Sequence, residues 1–234
     1  MSSNRGGNVN MLMLFYNKIF YVCIKTTGDN TDMIDEQYNQ KVVTVSNMNQ
    51  HIPTIYSYAV GCTDIAELGL SNMTSTWALL KGLKDNGYKT KNLTCVDINN
   101  VPAISNIAVK VKEQAGINLQ FIKENSATVK LPVVDLLFID TWHVYAHLIR
   151  ELEFHHDNVR KYIIMHNTEV DKIYGESTRL GLNVAKQSAD TGYAIEDIKT
   201  GLQAAIDKFT QTHTQWVIHK VFTNNHGLTI LKRK

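Results

Sequence analysis

The stretch Val133–Ile139, read Val-Val-Asp-Leu-Leu-Phe-Ile, constrains the fold more than any other part of the chain. It is almost wholly apolar with one acid inside, the pattern of a strand buried on both faces of a parallel sheet. The run stops at Asp140, and Trp142 and His143 follow within three residues. In open α/β sheets, ligands and chemistry gather just past the carboxyl ends of the strands. An acid at that edge, with a His opening the next helix, is therefore a candidate site. The competing reading makes Asp140 a helix cap and His143 an ordinary surface residue, and this stretch alone leaves both open.

The 234 residues suit one α/β domain, alone or with a small extension, and can bury a sizeable core. A formal net charge of +2 gives no electrostatic case for nucleic acid or an anionic membrane as partner. Cys23, Cys62 and Cys95 form no Cys-x-x-Cys pair, and the last two fall in or beside apolar strand-like runs. They read as buried free thiols of a reducing compartment. Met11–Cys23 is the most apolar N-terminal run, but Asn17 and Lys18 interrupt it. It is too short to span a bilayer and lacks a secretory cleavage site, so a soluble, cytoplasmic protein is expected. The same run is apolar enough to cover a neighbouring copy in a homo-oligomer.

Residues 1–10, rich in Ser, Asn and Gly, are expected to be disordered. Met11–Lys25 reads equally as strand or helix, and Thr26–Gln40 is polar with a turn signal at Thr-Gly-Asp-Asn. Ser46 and Asn47 are good helix caps, and Ile52, Ile55, Tyr56 and Ala59 follow at helical spacing, predicting a short helix that ends near Gly61. Strands and helices then alternate. Strands are predicted at Ile65–Leu70, Asn92–Ile98, Asn118–Ile122, Val133–Asp140 and Tyr162–Met165, with helices over Thr74–Lys84, Pro102–Gln114 and His143–His156. In the last of these Val144, Leu148 and Leu152 form the buried stripe. Ile195, Ile198, Leu202, Ile206 and Phe209 mark one amphipathic helix, and Gln215–Phe222 with Leu228–Leu231 reads as an antiparallel hairpin. Five strands joined by helices and closed by a hairpin imply a doubly wound sheet with an antiparallel edge. No internal repeat and no domain boundary is legible after residue 45.

The first strand runs into Glu67-Leu-Gly69-Leu70-Ser-Asn-Met73-Thr-Ser75 and then a helix. Gly69 permits close approach of the backbone to a ligand, and free amides at a helix start suit a carboxylate or other polar group. The second and third glycines of the dinucleotide fingerprint are missing, so phosphate cradling is not expected. A tight strand-to-helix turn explains the glycine nearly as well. The second strand ends in Asp97, placed either to bond both ribose hydroxyls of a nucleoside or to form a turn before Asn99-Asn100. Asn125-Ser126 ends the third strand and reads as an adenine contact or an Asx turn. What argues for a site is that these positions recur at the ends of four consecutive strands.

That order, Glu67-x-Gly69, Asp97, Asn125-Ser126, Asp140-Thr-Trp-His143 and His166-Asn167, resembles the class I S-adenosylmethionine-dependent methyltransferases over residues 46–234. Asp-Leu-Leu-Phe-Ile-Asp-x-x-His-x-Tyr followed by Ile-Ile-Met-His-Asn is similar to the metal-dependent sugar O-methyltransferases. These include the macrolide-sugar enzymes, the cephalosporin-hydroxylase and rhamnosyl methyltransferase group, and viral glycan methyltransferase modules. The resemblance implies a Rossmann-like, seven-stranded mixed sheet in the order 3-2-1-4-5-7-6, the last strand antiparallel, with helices on both faces. It also implies a methyltransferase domain over 46–234, preceded by an extension, 1–45, that is partly disordered.

By the same resemblance, S-adenosyl-L-methionine is the cofactor. Glu67 and Gly69, with Leu70 and Ser75 of the same loop, hold its methionine end, Asp97 its ribose, and Asn125 and Ser126 its adenine. Asp140 adjoins the cofactor and is the first ligand of a divalent metal, Mg²⁺ or Mn²⁺, with His166 and Asn167 as the others. His143 falls on the catalytic base. The implied reaction is O-methylation of a sugar or glycan hydroxyl, for example of a deoxyhexose such as rhamnose. A catechol- or phenol-type small-molecule acceptor, or a binding subunit that has lost catalysis, are the alternatives. Two departures stand out: Met73 replaces a common Gly, and His166-Asn167 leaves Asp140 as the only carboxylate among the ligands.

Mg²⁺ prefers hard oxygen ligands, and a His among them shifts preference toward Mn²⁺, Fe²⁺ or Zn²⁺. A sugar hydroxyl is a poor nucleophile, so the expectation is a neutral His143, its pKa lowered by the nearby cation, taking the hydroxyl proton. His143 and His147 share a helix face at i, i+4, which reads more simply as a solvated polar face than as a metal pair. His155-His156 at a helix end is explained by the helix dipole. The loop Thr168–Thr191 is long and polar, with Glu169, Asp171, Tyr174, Glu176 and Arg179 available to line an acceptor pocket.

Overall fold

Strand β4 (Val134–Ile139) is buried along its whole length and sits mid-sheet, as its apolar run predicts. It pairs in parallel with β1 (Asp64–Leu68) on one side and β5 (Val159–His166) on the other, Leu137 lying between Ala66 and Ile163. Beyond β1 come β2 (Asn92–Asp97) and β3 (Asn118–Lys123), both parallel. Beyond β5 the hairpin β6 (Trp216–Phe222) and β7 (Leu228–Arg233) closes the sheet, with β7 antiparallel to both neighbours. The resulting order β3-β2-β1-β4-β5-β7-β6 is the mixed seven-stranded sheet expected from the sequence. The antiparallel strand lies inside it, and β6 forms the edge.

This computed structural model describes residues 32–234. The expectations for Met11–Lys25, including Cys23, and for residues 1–10 lie outside the described residues. Helices α1 (Met33–Val43), α2 (Ile52–Ala59), α3 (Thr74–Asp85) and α4 (Ile104–Ala115) precede or link the first three strands. Helices α5 (Tyr145–His155), α6 (Glu176–Arg179), α7 (Val184–Thr191), α8 (Ile195–Lys199) and α9 (Leu202–Thr212) follow β4. Strand alternation divides the core into two. Ile65, Leu93, Leu136, Phe138 and Ile164 face one layer with residues of α2 and α3; Ala66, Val96, Leu137, Ile139 and Ile163 face the other with residues of α5 and α9. Leu202, Ala205, Ile206 and Phe209 of α9 are all buried at the spacing of one helical stripe. Among the described residues no helix is long and apolar enough to cross a membrane.

Three local readings are corrected. Helix α1 belongs to the folded unit, so among the described residues that unit begins ahead of residue 46. The helix packs buried Ile34 and half-buried Met33, Tyr38 and Val42 against the core and adds ion pairs to α3: Lys84 meets Asp32 at 2.9 Å and Asp35 at 2.7 Å, and Lys81 meets Asp35 at 3.1 Å. The single helix predicted over Ile195–Phe209 is two, because Thr200 and Gly201 are extended and pair with the segment after β5. Gly201 N donates to the Ile173 carbonyl at 2.9 Å, and a side-chain carbon there would press on the carbonyls of Asp171 and Lys172. The loop Thr168–Thr191 is itself partly helical, carrying α6 and α7.

Candidate active site

Four of the parallel strands end at one cavity of about 690 Å³, a volume that suits a cofactor or drug-sized ligand. Gly69 borders it past β1, Asp97 to Asn99 at β2, Asn125 and Ser126 past β3, and Asp140 to Trp142 past β4; His147, Asp190, Thr191 and Tyr193 close it. Of the residues expected to bind a cofactor, Gly69, Asp97, Asn125, Ser126 and Asp140 therefore meet around one space. Glu67, Leu70 and Ser75 do not line it.

The turn after β1 explains both groups. Gly69 has φ +82°, and a side-chain carbon there would overlap the Asp140 carbonyl, so glycine is needed for the ends of β1 and β4 to touch. The chain then passes Ser71 (φ 43°) and Met73 (φ 57°) in the left-handed region before α3. Met73 thus stands where the backbone favours glycine; its side chain is buried in the core against that cost. Asp97 Oδ2 accepts from Leu70 N at 3.0 Å and Oδ1 from Asn99 N at 2.8 Å. Asp97 thus forms the turn, and it also borders the cavity. Glu67 points away from the cavity into the layer under α3 and is fully buried. Burial pushes its carboxyl up to about 7, against hydrogen bonds received from Ser75 Oγ at 2.5 Å and Thr76 Oγ1 at 2.7 Å. It braces the start of α3.

The far wall was legible only in part. Trp142 stacks on Tyr193 with ring centroids 5.9 Å apart and planes 15° off parallel, and its Nε1 donates to Ser177 Oγ at 3.0 Å. His147 is buried, not a solvated face: its Nε2 lies 3.0 Å from Ser126 Oγ and 3.2 Å from Glu151 Oε1, its Nδ1 3.3 Å from the Tyr193 hydroxyl. Burial opposes its charge, but the Glu151 carboxylate raises its pKa above the usual value. Glu151, wholly buried, also accepts from Thr141 Oγ1 at 2.9 Å. His155 is buried too, with Nε2 2.7 Å from the Ser126 carbonyl, so its role is to brace the loop after β3 rather than to meet a helix dipole in solvent. Of these residues Ser126, Trp142, His147 and His155 drew notice in the sequence, though the two histidines for other roles; Glu151 and Tyr193 carried no signal.

At the β4 and β5 ends the charged groups close on one imidazole. His143 Nε2 is 3.0 Å from Asp140 Oδ1, and its Nδ1 is 3.2 Å from Glu176 Oε2, 3.7 Å from Asp171 Oδ2 and 3.0 Å from Asn167 Nδ2. Arg179 clamps Asp171 from outside, at 2.6 and 3.1 Å. Glu176 and Asp171 thus reach His143, whereas Tyr174 is largely exposed. Burial disfavours a charge on His143, yet its hydrogen bonds to Asp140 and Glu176 outweigh this and push its pKa up to about 10. With these carboxylates as its partners the ring favours its charged form at pH 7, where a neutral ring was expected beside a cation. Asp140 is held well below the usual carboxylate range: burial opposes ionisation, but His143 and His166 prevail. Asn167, with φ 59°, has a buried Oδ1 lacking a partner. Turning its amide over lets Oδ1 accept from the Nδ1–H of a charged His143.

The residues expected to hold a divalent metal do not fit one. His166 turns Nδ1 to Asp140 Oδ1 at 3.1 Å and Nε2 to the Asn47 carbonyl at 3.1 Å, so both ring nitrogens already have protein partners. Asp140 and Asn167 bond different nitrogens of the His143 ring and so stand on either side of it. Among the described residues no group of three or more His, Cys, Asp or Glu is arranged to hold a metal ion.

No family model and no curated protein matches the chain. Solved structures do resemble it. A protein assigned as a caffeoyl-CoA O-methyltransferase from Staphylococcus aureus is 14% identical, covering 88% of this chain and 93% of its own, with a TM-score of 0.55. The methyltransferase PaMTH1 of Podospora anserina, with bound S-adenosylhomocysteine, is 14% identical over 89% and 91%, with a TM-score of 0.51. The O-methyltransferase TomG of Streptomyces achromogenes, involved in tomaymycin synthesis and complexed with S-adenosylmethionine, is 12% identical over 88% and 91%, with a TM-score of 0.51. At these identities the likeness establishes the fold: this chain has the Rossmann-like fold of the class I methyltransferases.

Proposed function

We propose that this chain is an S-adenosylmethionine-dependent O-methyltransferase acting on a hydroxyl of a sugar or glycan. The observation that carries the reading is the convergence of Gly69, Asp97, Asn125, Ser126 and Asp140 on one cavity at the carboxyl ends of β1 to β4, in a sheet of methyltransferase order. The cofactor supplies a methyl group on a sulfonium. Gly69, Asp97, Asn125, Ser126 and Asp140 would hold the cofactor, and passing that methyl to an acceptor oxygen would require the hydroxyl proton to leave. Asp97 offers a carboxylate for a diol, and the Gly69 turn lets a ligand approach the backbone.

His143 is the group that can receive the proton, but only in molecules where its ring is neutral. Its raised pKa therefore calls for turnover that climbs with pH toward about 10. The sugar reading draws on the sequence resemblance and on the polar cavity residues Asn99, Asp190 and Thr191. The stacked Trp142–Tyr193 pair favours a second reading, a phenolic acceptor held against an aromatic wall, in keeping with what the Staphylococcus aureus relative is assigned to methylate.

The test is calorimetry with S-adenosylhomocysteine, followed by transfer of a labelled methyl group to deoxyhexosides and catechols in parallel. Parent protein is expected to bind the nucleoside and methylate the deoxyhexoside; Asp97→Ala is expected to weaken binding by about 1–3 kcal/mol. Absence of binding at millimolar nucleoside would sink the methyltransferase reading, and transfer to catechols alone would replace the sugar with the phenol.

A further inference from the structure

The cluster around His143 has the composition of a cation site without its geometry. Asp140 past β4, Asp171 and Glu176 in the segment after β5, and the Asn167 amide surround one point, and the imidazole ring occupies that point. Mg²⁺ holds oxygen ligands at about 2.1 Å, so two ligands of one ion stand no more than about 4.2 Å apart. Asp140 and Asn167 are instead separated by the full width of the ring and a 3.0 Å hydrogen bond at each side. Three further features fix the ring there. Its backbone N–H faces Glu176 Oε2 at 3.4 Å, and its carbonyl accepts from Glu176 N at 2.9 Å, tying the ring to the start of α6. Arg179 holds Asp171 in place behind it. His166 bonds the same Asp140 oxygen that His143 does, so that oxygen already serves two rings.

We infer that the His143 ring stands in the place of the divalent cation, so that Asp140, Asn167, Asp171 and Glu176 are organised by a side chain of this protein and not by a metal. The inference rests on the geometry of the cluster and holds whether or not methyl transfer proves to be the reaction. It gives the His166-Asn167 pair a physical reason. A carboxylate in place of either residue would add a negative charge for which a metal, but not a single ring, could compensate.

The test is Mn²⁺ binding, read as loss of the free-ion paramagnetic signal, on the full chain with and without S-adenosylhomocysteine. Parent protein is expected to bind no Mn²⁺ at this site up to millimolar concentration. Removing the ring leaves the carboxylates facing a gap, so His143→Ala is expected to gain one Mn²⁺ site at least ten times tighter than any in the parent. Adding Asp140→Asn to that variant should abolish it. His143→Gln, which fills part of the space and brings an oxygen ligand, serves the same purpose if the alanine variant does not fold. A parent site for Mn²⁺ that Asp140→Asn removes would overturn the inference. So would folded His143 variants that gain no Mn²⁺ affinity.

Discussion

Strand β4 carries an acid at each end, and the two are held in opposite ways. Asp135, near the amino end, accepts from Thr63 N at 2.8 Å and pairs with Arg160 at 3.0 Å and Lys161 at 3.4 Å. Those cations are half exposed. Asp140, just past the carboxyl end, is bonded by two histidines on the same oxygen beside a cavity. Both acids titrate below their usual range. The first arrangement closes the bottom of the sheet, where ligands do not bind. The second makes the same kind of pairing conditional on pH and leaves it next to the ligand space. Lowered carboxylate pKa values therefore do not mark a site; the chemistry of the partner does.

The comparison breaks most visibly at Asp140. Asp140→Asn leaves two buried rings without their anion and is expected to cost about 3–5 kcal/mol in chemical denaturation at neutral pH. Next comes the alkaline limb. The folded pKa of His143 lies above its unfolded value, so its stabilisation is complete below about pH 6.5 and is lost as the pH rises toward about 10. The parent should lose up to about 4 kcal/mol across that window, a slope absent from His143→Gln. A parent as stable at pH 10 as at pH 6.5 would show that the ring carries no such coupling. The smallest change is expected at the other end. Asp135→Asn keeps the Thr63 contact and loses half-exposed partners, so about 1–2 kcal/mol is expected. The pH dependence also runs the other way: the Asp135 contribution is present above its usual range near 3.8 and lost as acid titrates it through its lowered pKa. Equal costs at both ends would erase the distinction.

The ends of β1 and β2 were legible for their local part only: a glycine in a left-handed turn after β1, and a carboxylate that caps the next turn. The contacts of Gly69 with the Asp140 carbonyl and of Asp97 with Leu70 N join distant segments. The place of Gly69 and Asp97 at strand ends follows from apolar runs that can be counted along the sequence. Glu67 lies two residues before Gly69, and its expected cofactor contact failed on parity, because alternation along β1 sends it under α3. Helix α1 was missed because its stripe Ile34, Tyr38 and Val42 is short and set in a polar run, and because the partners of Asp32 and Asp35, Lys81 and Lys84, lie far along the chain.

By itself, then, the sequence determined the seven strands in chain order, the helices that link the first of them, the buried middle strand, and the edge at which ligands gather. Those follow from hydrophobic periodicity, which acts between near neighbours and is written into the chain residue by residue. Only the tertiary structure decided what surrounds His143. Glu176 is 33 positions away from it and Asp171 is 28, yet both press on one nitrogen of its ring. Coulomb energy depends on distance and dielectric in the folded molecule, not on separation along the chain. The charge of that ring, and whether a metal has room beside it, are therefore properties of the packed fold.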